Sequence, residues 1–144
     1  MKKQLMIAAA IGAVGIGAWA FLPPKAPPTG QPQAANIGAA LVRVALPASL
    51  SPNAQLGQRA YETVCVACHG EDGSGRNGMG PPLVHKIYEP SHHGDEAFQR
   101  AVALGVRAHH WSFGDMAPVS DFTRADVKMI ITYLRELQRA NGIN

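Results

Sequence analysis

Cys65-Val66-Ala67-Cys68-His69 is the stretch whose reading decides the fold. It uses both cysteines of a 144-residue chain in a single Cys-x-x-Cys-His. Two thiols three positions apart share one helical turn, and each can add across a porphyrin vinyl group. The adjacent imidazole then lies on the same side, within reach of the iron. The spacing is that of c-type haem attachment, with Cys65 and Cys68 as covalent anchors and His69 as an iron ligand. A thioredoxin-like redox pair would need a strand before the motif and a βαβ pattern after it, and neither is visible. A zinc ribbon would need a second cysteine pair, which the chain lacks.

Upstream, Met1-Lys2-Lys3-Gln4 is a positive start, and residues 5–22 carry no charge. This is the pattern of an export signal. Ala18-Trp19-Ala20 offers the small-x-small site a signal peptidase reads, whereas the 18-residue apolar run is also just long enough to span a bilayer. Residues 1–22 are thus expected to be a cleaved signal peptide or an N-terminal membrane anchor. In both cases the rest of the chain lies on the periplasmic side of the cytoplasmic membrane. Residues 23–36 are proline-rich, with five prolines between positions 23 and 32, and read as a semi-rigid spacer. Residues 37–50 form an apolar extension, suited to packing on the domain but of no legible role. Export, one motif and no spare cysteine all agree with haem attachment outside the cytoplasm.

Composition narrows the class further. At 47% hydrophobic residues the chain is not mainly disordered, and its length suits one domain rather than a two-lobed enzyme. A formal charge of +3 suggests a basic protein. Yet setting aside Lys2 and Lys3 leaves eleven basic residues against ten acidic ones, with no Lys/Arg run. That argues against a nucleic-acid partner.

Helical periodicity brackets the motif. Ser51-Pro52 supplies an N-cap followed by proline at the first helical position. Leu56, Ala60, Tyr61 and Val64 then recur on one face, with Gly57 beside the stripe. Residues 95–104 form a shorter helix presenting Phe98, Ala101 and Val102. Near the end, Thr123 caps a third helix with Asp126 in its first turn. Val127, Ile130, Ile131, Leu134 and Leu137 form its stripe, and Asn141-Gly142 stops it.

From residue 51 to 144 the chain resembles the class I, mitochondrial-type monohaem cytochrome c family. The resemblance rests on the Cys65–His69 motif, the helix before it, the terminal helix, and the Gly80-Pro81-Pro82-Leu83 and Asp115-Met116-Ala117-Pro118 segments. It implies an all-α fold in which N- and C-terminal helices cross beside one covalently bound haem c. Gly57 looks like the small residue that permits the crossing, or is simply a tolerated helix glycine. Tyr133 is similar in placement to a haem-side aromatic, or is ordinary core. Met1 and Met6 fall in the export segment and Met129 in the terminal helix, leaving Met79 and Met116 as thioether candidates. The family places its distal methionine where Met116 stands, usually followed directly by proline; here Ala117 intervenes before Pro118. Pro81 matches the proline whose carbonyl accepts a hydrogen bond from the ligand histidine. Met79 then packs near the porphyrin edge, and Trp111 and Phe113 wall the haem pocket.

With His69 and Met116 both on the iron, the resemblance implies a single-electron carrier and not an enzyme. Its expected partners are a quinol-oxidising complex or dehydrogenase as donor and a terminal oxidase or reductase as acceptor. His85, His92, His93, His109 and His110 do not fit the family pattern. They read either as polar loop residues or, in the pairs flanking the 95–104 helix, as ligands of a second metal. If His109 or His110 took the iron instead of Met116, the protein would be a haem sensor or a peroxide-reactive, ligand-binding haem protein.

Overall fold

The computed structural model describes residues 36–144, so the expected signal or anchor at 1–22 and all but the last residue of the proline-rich spacer lie outside the described residues. Among the described residues there are four α-helices: α1 (Pro52–Val64), α2 (Val66–His69), α3 (Asp95–Leu104) and α4 (Arg124–Ala140). Two short 3-10 turns, Glu71–Gly73 and Lys86–Tyr88, lie between α2 and α3. Pairing among the described residues is limited to isolated bridges, so the fold is all-α as expected. None of these helices is long and apolar enough to cross a membrane.

Both long helices begin where their caps dictate. The Ser51 hydroxyl accepts from the Ala54 N–H, and its own N–H and hydroxyl bond to the Glu136 carboxylate at 3.0 and 2.6 Å. The start of α1 is thereby pinned to α4. Thr123 and Asp126 form a complete capping box at the start of α4. That helix buries the expected stripe of Val127, Ile130, Ile131, Leu134 and Leu137.

The packed face of α1 differs from the one its large apolar residues suggest. Ala54, Gly57 and Tyr61 are buried, whereas Leu56 and Val64 are 48% and 39% exposed. Gly57 is therefore at the centre of the contact face, not beside it. A Cβ on Gly57 would overlap the Met129 backbone, so the absence of a side chain is what lets the two helices close. Around this crossing the core gathers Tyr61, Leu83, Val84, Ile130, Tyr133, Leu134 and Leu137.

The extension before α1 is fastened to the domain at both of its ends. Leu41 and Val42 N–H groups donate to the Ser74 carbonyl, and Gly38 N–H donates to Asn77. Farther along, Ala45 exchanges a pair of 2.9 Å hydrogen bonds with the Asn141 side chain, and Val44 and Leu50 pack against the core. The segment is a strap over the loop that follows the cysteine motif.

Candidate functional site

The motif continues α1 almost without a break. Cys65 retains helical φ and ψ of −68° and −33°, and its carbonyl accepts from the N–H groups of Cys68 and His69. Cys65, Cys68 and His69 thus occupy one turn, as the spacing requires. Gly70, with φ 72°, ends the helix and turns the chain away.

Two tyrosines hold that turn in place, a role neither the α1 stripe that includes Tyr61 nor the placement of Tyr133 reveals. Tyr61 donates to the Gly70 carbonyl at 2.8 Å, and Tyr133 donates to the Asp72 carboxylate at 2.7 Å. Their rings pack at 5.7 Å in a tilted pair. Burial pushes both phenols well above their ordinary range, so both remain O–H donors.

His69 projects from the end of the motif with its Nδ1 2.9 Å from the Pro81 carbonyl. A carbonyl only accepts, so Nδ1 carries the proton and Nε2 keeps a free lone pair. Burial lowers the imidazole pKa, with the Pro81 bond opposing, so the neutral, metal-ligating form is favoured. Burial also pushes the partly buried Cys65 thiol up to about 11, whereas Cys68 is exposed. A redox-active Cys-x-x-Cys pair depends on a lowered thiol pKa, so the shift at Cys65 runs against that chemistry.

His69 and Pro81 line one wall of a cleft of about 430 Å³, and Trp111, Phe113 and Met116 are among the residues lining the remainder. Met116 is held there by its backbone. It exchanges two 2.9 Å hydrogen bonds with Val106, just beyond α3, and the Ala108 N–H caps the Asp115 carboxylate in the same loop. Gly105, φ 75°, packs so closely on the Met116 carbonyl that a Cβ there would collide with it. Trp111 and Phe113 stack at 6.0 Å.

Met79 lies elsewhere. It is 40% exposed, sits in the tight Arg76–Gly80 turn, and is not among the residues lining the cleft. His85 caps the 3-10 turn at Lys86–Tyr88 by accepting from the Ile87 N–H, and its ring meets Trp111 edge-on at 5.2 Å. His93, His109 and His110 line the outer part of the cleft.

The cleft suits a haem on two independent observations. Its walls are mainly apolar, with the imidazoles of His69, His93, His109 and His110 and the single thioether of Met116 among them. In addition, the buried Trp111 indole N–H has no hydrogen-bond partner among the described residues. It approaches the Tyr88 phenol closely enough to offset part of the rise that burial imposes there, but without hydrogen-bonding geometry. Buried indole donors ordinarily find an acceptor, and a carboxylate-bearing cofactor edge supplies one.

A helical shell with a Cys-x-x-Cys-His turn at its cleft defines a covalent haem-binding electron-transfer protein. The sequence profile of the cytochrome c family matches residues 54–138, and the chain belongs to that family. Its cofactor is accordingly a covalently attached haem c. No curated protein and no solved structure matched the chain.

Proposed function

We propose that the protein is an exported monohaem electron carrier, with Cys65 and Cys68 forming the thioethers and His69 and Met116 the axial iron ligands. The observation that carries this reading is the presence of the His69 imidazole and the Met116 thioether in one cleft. The bound haem supplies reversible one-electron iron chemistry. Pro81 fixes the His69 tautomer that would offer Nε2 to the metal, and the Val106 bonds hold the backbone of Met116, whose thioether would supply the second ligand. A soft thioether favours reduced iron more than a second imidazole would, and an occupied sixth position excludes outside ligands. Trp111 and Phe113 give the cleft an aromatic wall. Electron exchange at the haem edge follows, and substrate turnover is not part of the reading.

The lysine-flanked apolar start supports delivery to the periplasmic side of the cytoplasmic membrane, as a cleaved soluble protein or on an N-terminal anchor. In that place the fitting partners are a quinol-oxidising complex or dehydrogenase as donor and a terminal oxidase or reductase as acceptor.

The near-red absorption of the oxidised protein tests the ligand set. A thioether-to-iron charge-transfer band is expected, lost in Met116→Ala, with slow carbon monoxide binding by the reduced wild type. A wild type without the band that binds carbon monoxide readily would overturn the carrier reading in favour of a sensor or peroxide-reactive haem with His109 or His110 as a labile ligand. A band that persists in Met116→Ala would overturn the Met116 assignment alone.

A further inference from the structure

Four histidines converge at the rim of the haem cleft, and none is needed to hold the cofactor. The turn after Lys86–Tyr88 presents His92 and His93, whose N–H groups both donate to the Glu89 carbonyl. From the other side, the loop that leads to Met116 presents His109 and His110. The His92 and His110 rings lie 5.2 Å apart, as do those of His93 and His110. One nitrogen from each of His92, His93 and His110 falls within 4.8 Å of the other two.

We propose that His92, His93 and His110 form a three-imidazole site for a divalent first-row transition ion, Zn²⁺ or Cu²⁺, separate from the haem iron. Imidazole is the ligand both ions share. The spacing is specific. Zinc–nitrogen bonds of about 2.0–2.1 Å at tetrahedral angles place neighbouring ligand nitrogens about 3.3 Å apart. His92 Nε2 and His110 Nε2 are separated by 3.3 Å. The two exposed imidazoles share an Nε2···Nε2 hydrogen bond at that distance, and an ion held by both lone pairs would replace it without moving the rings apart.

His93 is prepared in the manner of a ligand. Its Nδ1 lies 2.7 Å from the Ile87 carbonyl, which fixes the proton on Nδ1 and leaves Nε2 as the donor atom. A modest ring movement brings that atom to the other two. His109 faces differently: its Nδ1 bonds the Arg107 carbonyl, and its ring stacks on His93 at 6.1 Å without joining the three-nitrogen group. Three imidazoles leave a coordination position for water or a partner's side chain. The ion would also join the His92–His93 turn to the loop carrying Met116, so its binding would brace the outer cleft wall.

The test uses tag-free, haem-loaded protein titrated with Zn²⁺ or Cu²⁺ alone at a pH where the histidines are neutral. One ion per chain is expected to bind at micromolar free metal. His92→Ala and His110→Ala should each weaken binding by about tenfold or more, since even outer-shell partners contribute that much, and His109→Ala should leave it unchanged. Both altered residues are exposed, and an unchanged haem spectrum verifies that each variant is folded. In the Cu²⁺ arm, electron paramagnetic resonance should show hyperfine coupling to three nitrogens. The absence of saturable binding of either ion, or equal binding by the His92→Ala/His110→Ala double variant, would overturn the site. Binding of Zn²⁺ alone or of Cu²⁺ alone supports it and identifies the ion.

Discussion

Gly57 in α1 rests directly on the backbone carbonyl of Met129 in α4, with no room between them for a methyl group. Two effects oppose each other in Gly57→Ala. Alanine favours the helix over glycine by about 1 kcal/mol, whereas forcing a methyl into a closed backbone contact costs about 1–3 kcal/mol. The obstacle is main chain and cannot rotate away, so the crossing wins. Denaturant unfolding of the haem-loaded variant should show net destabilisation, and a more stable variant would mean that α1 and α4 do not cross here.

The tyrosine pair makes a prediction about the loop after the motif. Tyr61→Phe and Tyr133→Phe keep both rings but remove the donors to Gly70 and Asp72. Each should cost about 1 kcal/mol, and in Tyr61→Phe the Gly70 carbonyl keeps only the longer bond from the Gly73 N–H at 3.3 Å. Both bonds restrain the same short segment. The double variant should therefore depart from additivity in unfolding measurements, and strict additivity would show that the two tethers act independently.

The capping box of α4 links stability to pH. The Asp126 carboxyl is held below its ordinary value, first by the Thr123 hydroxyl and then by the Thr123 N–H. A carboxylate depressed in the folded state contributes stability that is complete above its unfolded pKa and disappears as pH falls through the folded one. Asp126→Asn mimics the protonated side chain. Its stability deficit relative to wild type should be greatest near neutral pH and should vanish in strong acid. Chemical unfolding followed by circular dichroism across that range checks the trend, and a deficit that is constant with pH would exclude the carboxylate as its source.

Much of this was legible in the residues, for identifiable reasons. The Cys65–His69 turn, the Thr123–Asp126 cap and the α4 stripe are local patterns, fixed by spacing along one helix. The bounds of α3 agree with its apolar face for the same cause. Which face α1 buries was not legible, because hydropathy weights Leu56 and Val64 above a glycine, whereas the packing is decided by how closely Gly57 approaches Met129. The pairs flanking the 95–104 helix pointed to histidines meeting, although not to which rings face each other, whereas the anchoring of the Met116 loop on Val106 depends on chain turns that no periodicity encodes.

Arg135 shows how far a local pattern can mislead. It lies near the end of α4, where a cation suits the helix C-terminus, yet the structure buries it. Its guanidinium lies over the Phe98 ring at 5.0 Å. It also donates to the Tyr88 and His93 carbonyls, to the Gln138 side chain and to Asp95. Asp95 is 69% exposed, so the ion pair itself contributes little and Asp95→Asn should cost less than about 1 kcal/mol. Arg135→Met is a different loss. It leaves the His93 carbonyl and the Gln138 amide oxygen without their donor, and about 3 kcal/mol is expected, as for breaking a buried charged network. The contrast between the two variants in equilibrium unfolding is the check. Similar costs would place the stabilisation in the ion pair, whereas a several-fold larger loss for Arg135→Met places it in the carbonyls that this one side chain gathers behind the cleft.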